Sequence, residues 1–575
     1  MLQKIQNSSI KNCTRNELNV LCDELRHTIY ETVMQCGGHL ASNLGAVEST
    51  VALFYVFDFP NDKVVFDVGH QCYAYKLLSG RLDKFSSLRK AGGISGFPKR
   101  NESKFDAYDT GHAGTSVSAA IGLKKAAQLN GEKRNVIAYI GDGSFNNGLV
   151  YEALSSLKIL NTNILIVLND NGMSISPTVG GMYDILAQIK DSDNTAGIRL
   201  LENFGLTYLG VKDGNDVDEM VDAMSQAKDL LQNGSVLLHI ATKKGKGYEF
   251  SEEHPTNTHG VPPVGSPKDK EYSKVLGETL CALAKKNEKI TVVSAAMKEA
   301  LGLEEFFKSY PQRAFDVGIC EENASVLCAA MAVGGLKPYY AIYSTFLQRA
   351  FDEIIHDVCA QDLPVTFCID RAGISGADGE THQGVFDLSY LSLIPNITIV
   401  APKDTEELKK TLEWSVGYPH PLAIRYPRAG KVIFESDDIP LQAGKWEYLH
   451  KISGAKASII AAGERSLIIA MKVQKNLEKQ GFSCDVINAR FVKPLDIDLL
   501  NTLQSTHIVT IEDNVYLGGL GAMISGEILK QNKDVTLKTF AYRDEFIPQG
   551  SIASLQSEYG VDCKEIENYL LQVLQ

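Results

Sequence analysis

Two clusters of hard oxygen donors carry the clearest chemistry in the chain, Gly141-Asp142-Gly143 and Asn169-Asp170-Asn171, with Asn171 following Asp142 by 29 residues. One carboxylate and one amide suit Mg²⁺, which takes oxygen ligands in octahedral geometry and shares them with phosphate oxygens. The Met173 carbonyl, one turn further on, can add a third ligand. Glycines beside Asp142 let a diphosphate come close to the backbone. A plainer reading is an acidic turn followed by a polar strand end. By themselves these residues leave both readings open.

Something must place those clusters side by side. The apolar run Val136 to Ile140 reads as a buried strand. A helical segment follows with Val150, Ala153, Leu154 and Leu157 on one face, and Ile164 to Leu168 reads as a second strand. Strand, helix, strand is a βαβ unit, whose handedness makes the strands parallel and brings both tips to one sheet edge.

Similar alternation fills the 575 residues. Thr14-Arg15-Asn16-Glu17 is a capping box opening a helix with an apolar stripe at Leu18, Leu21, Cys22, Leu25, Ile29 and Val33, stopped at Gly37-Gly38. An apolar helix through Val56 and a strand Val64 to Val68 follow. His39, His70 and His112 fall at strand-to-helix loops, where α/β folds bind ligands. The zone from about 178 to 200 reads as polar and irregular. Val236 to Ile240 is a strand, and the Pro-, Gly- and Thr-rich stretch His254 to Pro267 reads as a linker. A second α/β unit begins near 268, with strands at Ile290 to Val293, Ala314 to Ile319, Pro338 to Ile342, Pro364 to Ile369 and Ala423 to Arg425. Its helix after Glu321 shows Val326, Leu327, Ala330 and Val333 as an apolar face. The loop Gly373 to Gly384 is too long and polar for a plain turn. Glu435 to Pro440 reads as a second linker, and a third α/β unit completes the chain with strands at Ala457 to Ala461, Cys484 to Asn488 and Ile508 to Glu512. The fold class is therefore α/β, with three consecutive domains over 1–265, 268–434 and 435–575.

Composition excludes some functions. A net charge of −13 argues against nucleic-acid and anionic-membrane partners, and no apolar run approaches a membrane span. The N-terminal MLQKIQNSS lacks the pattern of a signal or transit peptide. The eleven cysteines form no CxxC pair and read as free thiols in a reducing cytoplasm, with Cys320 and Cys328 structural rather than redox-active.

Joined to these clusters, the segments HLASNLGAVESTVAL, FDVGHQCYAYK, GISGFPKR, LNDNGMSIS, TKKGKGYE, YSTFLQRAFDEIIHD, DRAGISGADGETHQGVFDLSYL, AIRYPR, NARFVKPLD and FIPQGS resemble the 1-deoxy-D-xylulose-5-phosphate synthase family of transketolase-like enzymes, from about residue 37 to 555. GADGETHQG followed by FDLSYL is the most specific of them. The resemblance implies two thiamine-diphosphate-binding folds with mainly parallel sheets and a third, transketolase C-terminal-like domain. It implies a homodimeric transferase using thiamine diphosphate and Mg²⁺, with pyruvate as donor and glyceraldehyde 3-phosphate as acceptor, serving isoprenoid and thiamine biosynthesis.

By the same resemblance, Asp142, Asn171 and Met173 are the metal ligands. His70, Gly111, His112, Ala113, Gly143, Ser144, Asn171, Tyr248 and Glu321 contact the cofactor. His39, Glu321 and His382 take part in catalysis. Tyr343, Arg371, Asp378, His382 and Arg425 surround the substrate, Arg371 and Arg425 as a phosphate clamp, with Arg349 a weaker candidate. The chain departs from the family pattern at Glu322-Asn323 after the catalytic Glu, at Ala113-Gly114 in the GHAGTS loop and at Asn146-Asn147-Gly148-Leu149 after Gly143. Two alternatives stand beside this reading: a transketolase-like enzyme with another donor or acceptor, and a paralogue that binds without turnover.

Overall fold

The computed structural model describes residues 1–6, 9–192, 194–262, 271–430, 433–435 and 439–575. Parts of both expected linkers, 263–267 and 436–438, lie outside the described residues, as do the expected boundaries at 265 and 268. The chain forms two compact units, one of residues 1–267 with 318–320, the other of 268–317 with 321–575.

In the first unit, β1 (Lys63–Phe66), β2 (Val136–Gly141), β3 (Leu165–Asp170), β4 (Leu206–Asp213) and β5 (Ser235–Ala241) form a parallel sheet in the order β1-β2-β3-β5-β4. Helices cover both faces, so β2, β3 and β5 are buried nearly throughout, as parallel strands between helical layers must be. The helix Arg15–Cys36 begins at the expected capping box, with both reciprocal bonds of Thr14 and Glu17 in place. The first strand stops at Phe66 rather than Val68, whose φ of +59° is left-handed.

The zone near 178–200 is not irregular. It holds the helices Gly181–Ser192 and Thr195–Glu202, which bury Leu186, Ile189 and Leu201. The Asn194 side chain caps the second through the amides of Ala196 and Gly197, at 3.1 and 3.3 Å.

The second unit contains two sheets. β6 (Ile290–Ser294), β7 (Ala314–Asp316), β8 (Lys337–Tyr343), β9 (Thr366–Asp370), β10 (Thr398–Val400) and β11 (Leu422–Arg425) are parallel neighbours in the order β10-β11-β9-β8-β6-β7. β12 (Glu447–His450), β13 (Ala457–Ala462), β14 (Cys484–Asn488), β15 (Phe491–Lys493), β16 (His507–Val515) and β17 (Thr536–Tyr542) follow. Five of these form the sheet β12-β14-β13-β16-β17, while β15 crosses to pair antiparallel with β10 at the edge of the other sheet.

β7 ends at Asp316, short of the expected Ile319, because Gly318 turns away at φ +72°. The helix Glu321–Val333 also differs from expectation. Its buried residues are Glu321, Ala324, Ser325, Cys328, Ala329 and Ala332, whereas Val326 and Val333 are 41% and 67% exposed. Small side chains let that helix approach the sheet closely, and the larger apolar residues face away. All eleven cysteines are free thiols.

Candidate active site

In the first unit the expected ligands meet as the βαβ geometry requires. Gly141 and Asn169 are register partners at the ends of β2 and β3, so the residues that follow them lie side by side. The Asn171 N–H points to Asp142 Oδ1 at 3.4 Å, and the Thr178 hydroxyl donates to Oδ2 at 2.8 Å. The Met173 N–H donates to Asn171 Oδ1 at 3.1 Å, which fixes the turn carrying the expected third ligand. Asp142 is buried. Burial, then the charge of Asp170, pushes its carboxyl up to about 6. A buried carboxylate held under this penalty is suited to a cation. Among the described residues there is no cluster of three His, Cys, Asp or Glu side chains that could hold a metal; Asp142 and Asn171 offer one carboxylate and one amide.

Asp170, the middle residue of the second cluster, turns to the sheet interior. It accepts from Lys190 Nζ at 2.8 Å and from the Gly172 N–H at 3.2 Å, and lies 3.0 Å from His239 Nε2. Gly143 packs so closely that a Cβ would lie 2.9 Å from Ser174 Cβ. Buried Asp67, after β1, accepts the amides of Gly114 at 2.8 Å and Ser116 at 3.0 Å, and so pins the loop carrying Gly111, His112 and Ala113. Ser144 bonds the same carboxylate.

Three residues that escaped the sequence reading join this group in the first unit. His259, inside the stretch read as a linker, packs against His39 and His70 with ring centroids at 5.5 and 5.6 Å, and those two are 5.7 Å apart. Burial, then the Lys244 ammonium, holds the His259 imidazole well below its ordinary value. Buried Asn43 donates to the carbonyls of both His39 and His70 at 2.7 Å, which locks the two loops together. Buried Lys244 donates to the Ser174 carbonyl, and burial lowers its ammonium to about 8 against the opposing charge of Asp142. Tyr248 lies flat on Tyr30, centroids 4.0 Å apart.

In the second unit Glu321 opens its helix as a buried carboxyl. Its Oε2 lies 3.8 Å from Arg349 Nη1 and makes no hydrogen bond. Burial pushes this carboxyl up to about 7, against the pull of Arg349. An acid that keeps its proton near neutrality, with an oxygen to spare, fits a ring nitrogen that needs a hydrogen-bond donor.

Of the residues expected around the substrate, Arg371 has a left-handed backbone, φ +58°. Its guanidinium lies 3.6 Å over the Tyr343 ring and 3.2 Å from Asp370 Oδ2. His382 Nδ1 is 2.9 Å from the Thr381 hydroxyl, and its ring meets Phe346 edge-on at 5.7 Å. Arg425 does not belong to this group. It is 4% exposed, and grips Asp387 through Nε at 2.7 Å and Nη2 at 3.1 Å, with Nη2 also donating to the Asp513 carbonyl at 3.1 Å. The expected second clamp arginine is thus an interior strut. Arg428, three residues on, is exposed and lies within electrostatic reach of Arg371, Tyr343 and Asp378. Desolvation, then the neighbouring Arg371 charge, lowers its guanidinium.

Comparison with known proteins gives three family matches. The model described as 1-deoxy-D-xylulose-5-phosphate synthase covers residues 2–200 and 194–242, the transketolase pyrimidine-binding domain covers 268–430, and the transketolase C-terminal domain covers 444–566. Proteins named 1-deoxy-D-xylulose-5-phosphate synthase are similar over almost the whole chain. That of Clostridium botulinum is 43% identical over 98% of this chain and 97% of its own length. That of Clostridium beijerinckii is 45% identical over 98% of each, and that of Clostridium perfringens 42% over 100% of each.

Proposed function

Because the chain belongs to the 1-deoxy-D-xylulose-5-phosphate synthase family, we propose that it is the transferase that decarboxylates pyruvate and joins the remaining two carbons to glyceraldehyde 3-phosphate, giving 1-deoxy-D-xylulose 5-phosphate and CO₂. The observation that carries this reading to the site is the meeting of Asp142 and Asn171 at the ends of neighbouring parallel strands.

Bound thiamine diphosphate supplies the carbanion chemistry that neither substrate nor side chain provides. Residues of each unit would take the remaining roles. Asp142, Asn171 and the Met173 carbonyl would hold Mg²⁺ and through it the diphosphate. Gly143 and Ser144 would leave room for the phosphates, and His112, on the loop pinned by Asp67, would contact the cofactor. Lys244 adds a positive charge beside the Asp142 carboxylate. Tyr248, backed by Tyr30, contributes an aromatic wall.

Glu321 holds a proton where a ring nitrogen can share it. His39, His70 and His259 form a cluster able to move protons at the reacting carbon, with His382 as a further proton-carrying group in the second unit. Arg371, stacked on Tyr343, and Arg428 bind the acceptor phosphate, with Asp378 beside them. The domain limits expected at 1–265, 268–434 and 435–575 belong to this reading. So does a homodimer, for which exposed Val326 and Val333 offer an apolar face to a second copy. Placement in the cytoplasm and service to isoprenoid or thiamine biosynthesis rest on family membership; among the described residues no helix is long and apolar enough to cross a membrane. No observation favours a different donor or acceptor, or a non-catalytic paralogue.

The reading is tested by titrating thiamine diphosphate into the metal-free protein with and without Mg²⁺, following heat by calorimetry. Saturable binding only with the metal supports it. Equal binding in Asp142→Ala contradicts it.

A further inference from the structure

The acceptor loop Gly373 to Gly384 contains four glycines, and such a segment is costly to hold in one conformation. Its neck is closed by two bonds, the Gly373 N–H to the Gly384 carbonyl at 2.6 Å and the reverse at 2.8 Å. What holds the neck in place comes from the C-terminal sheet and from the helix Glu464–Lys479 packed on it. Asp513, near the end of β16, accepts the Ile374 N–H through Oδ1 at 3.0 Å. Arg465 donates to the Ile374 carbonyl at 2.7 Å and, with the same Nη1, to Asp513 Oδ2 at 2.9 Å. Both backbone groups of one loop residue are thus taken by an ion pair. The Tyr542 hydroxyl fixes Asp513 from behind at 2.7 Å. Gly373 is pressed so close that a Cβ there would lie 1.9 Å from Asp513 Oδ2.

Two more attachments tie the loop to the segment after β17 and to β16. The Gln383 amide closes the loop internally, accepting from Ser375 at 2.7 Å and Gly376 at 3.1 Å, and donates to the Pro548 carbonyl at 3.2 Å. The Val515 N–H donates to the Val385 carbonyl at 3.0 Å. Arg371 lies two residues before this neck, its carbonyl against Gly384, and Asp378 and His382 lie within the loop.

We propose that Asp513 and Arg465 are positioning residues for the acceptor site: the C-terminal sheet is the frame that holds the glycine-rich loop, and through it Arg371, Asp378 and His382, in the arrangement that selects a phosphorylated aldehyde. This rests on the acceptor reading given above. It assigns the C-terminal sheet a part in specificity without any contact of Asp513 with substrate. Charge-assisted bonds to a backbone amide and carbonyl in a half-dry setting are the strong kind, so the frame is stiff where the loop is soft.

The test uses the full-length protein and Asp513→Asn, whose amide turns a donor toward Arg465 where a carboxylate oxygen accepted. Amide hydrogen exchange across residues 373–384 is expected to quicken at least tenfold, with exchange in β9 and β13 unchanged. Steady-state assays are expected to show at least a fivefold rise in KM for glyceraldehyde 3-phosphate, an unchanged KM for pyruvate, and little change with unphosphorylated glyceraldehyde. Arg465→Gln, which keeps the Asp513–Ile374 bond, is the second variant and is expected to show smaller changes of the same pattern; it decides the matter if Asp513→Asn does not fold. Unchanged loop exchange overturns the proposal, as does faster exchange with equal losses for both acceptors. If the native protein makes no product from the two substrates, the functional reading fails, and the exchange measurement still judges the frame.

Discussion

Arg425 and Asp387 form a two-bond ion pair deep in the second unit, Nε to Oδ2 at 2.7 Å and Nη2 to Oδ1 at 3.1 Å, with the carboxylate fully buried and the guanidinium nearly so. The third donor contact of that arginine, to the Asp513 carbonyl, ties β11 to β16.

Arg425→Met therefore leaves a buried carboxylate without its partner. A loss of about 3–5 kcal/mol is expected for breaking such a pair. Urea denaturation of the purified variant reads this directly. A variant as stable as the native protein, but with weakened binding of the phosphorylated acceptor, would return Arg425 to the clamp.

Arg371→Ala and Arg428→Ala are expected to behave in the opposite way. Each loses a charge-assisted contact to the acceptor phosphate, worth about 1.5–3 kcal/mol, or roughly ten- to a hundredfold in apparent KM for glyceraldehyde 3-phosphate. Denaturation midpoints are expected to shift little for Arg428→Ala, whose side chain is exposed. Pyruvate carries no phosphate, so its KM is expected to stay put. Equal losses with unphosphorylated glyceraldehyde would falsify the clamp.

The different fates of Arg425 and Arg428 show how far the sequence can be read. AIRYPR offers two guanidiniums three residues apart, and nothing local says which one Asp387, 38 residues upstream, will claim. The βαβ unit around Asp142 was legible because apolar period, crossover length and polar tips all agree. The helices at 181–202 were not, because few of their residues are buried, although Asn194 stood as a capping signal. His259 lies in a Pro- and Gly-rich stretch with no periodicity to mark it, and only the packing of His39 and His70 reveals its place. On the helix after Glu321, apolar residues occur on both faces, so composition pointed to Val326 and Val333 while the close approach to the sheet chose alanine, serine and cysteine.

Glu321 makes a prediction about stability and pH. Its ordinary value of 4.5 is raised to about 7 in the folded protein. Below about pH 4.5 both states are protonated and burial carries no penalty. As pH rises, the unfolded chain releases its proton first, and the penalty is full above about pH 7, on the order of 3 kcal/mol. Glu321→Gln removes an ionisable group, so in the cofactor-free state its advantage over the native protein is expected to grow between pH 5 and pH 8. Paired denaturation curves at the two pH values check it; a gap independent of pH would mean that this carboxyl is not raised. The same variant is expected to retain cofactor binding and lose most of its turnover, since an amide cannot pass a proton.

Metal binding follows Asp142. Its carboxyl, raised to about 6, must lose its proton to take Mg²⁺. Affinity for the metal in the presence of thiamine diphosphate is therefore expected to fall about tenfold per pH unit below 6. Asp142→Asn is expected to lose both the affinity and that pH dependence. Calorimetric titrations at pH 5, 6 and 7 distinguish this from a general acid effect, which would persist in the variant.

The central claim is most directly tested by identifying the product made by the purified protein. Pyruvate labelled with ¹³C at C2 and C3 is incubated with glyceraldehyde 3-phosphate, thiamine diphosphate and Mg²⁺, and the mixture is followed by NMR and mass spectrometry. The expected result is a five-carbon deoxyketose phosphate carrying both labels in its first two carbons, unlabelled CO₂, and no product after chelation of the metal. No labelled sugar phosphate, or one formed only when a ketose phosphate replaces pyruvate, would contradict it.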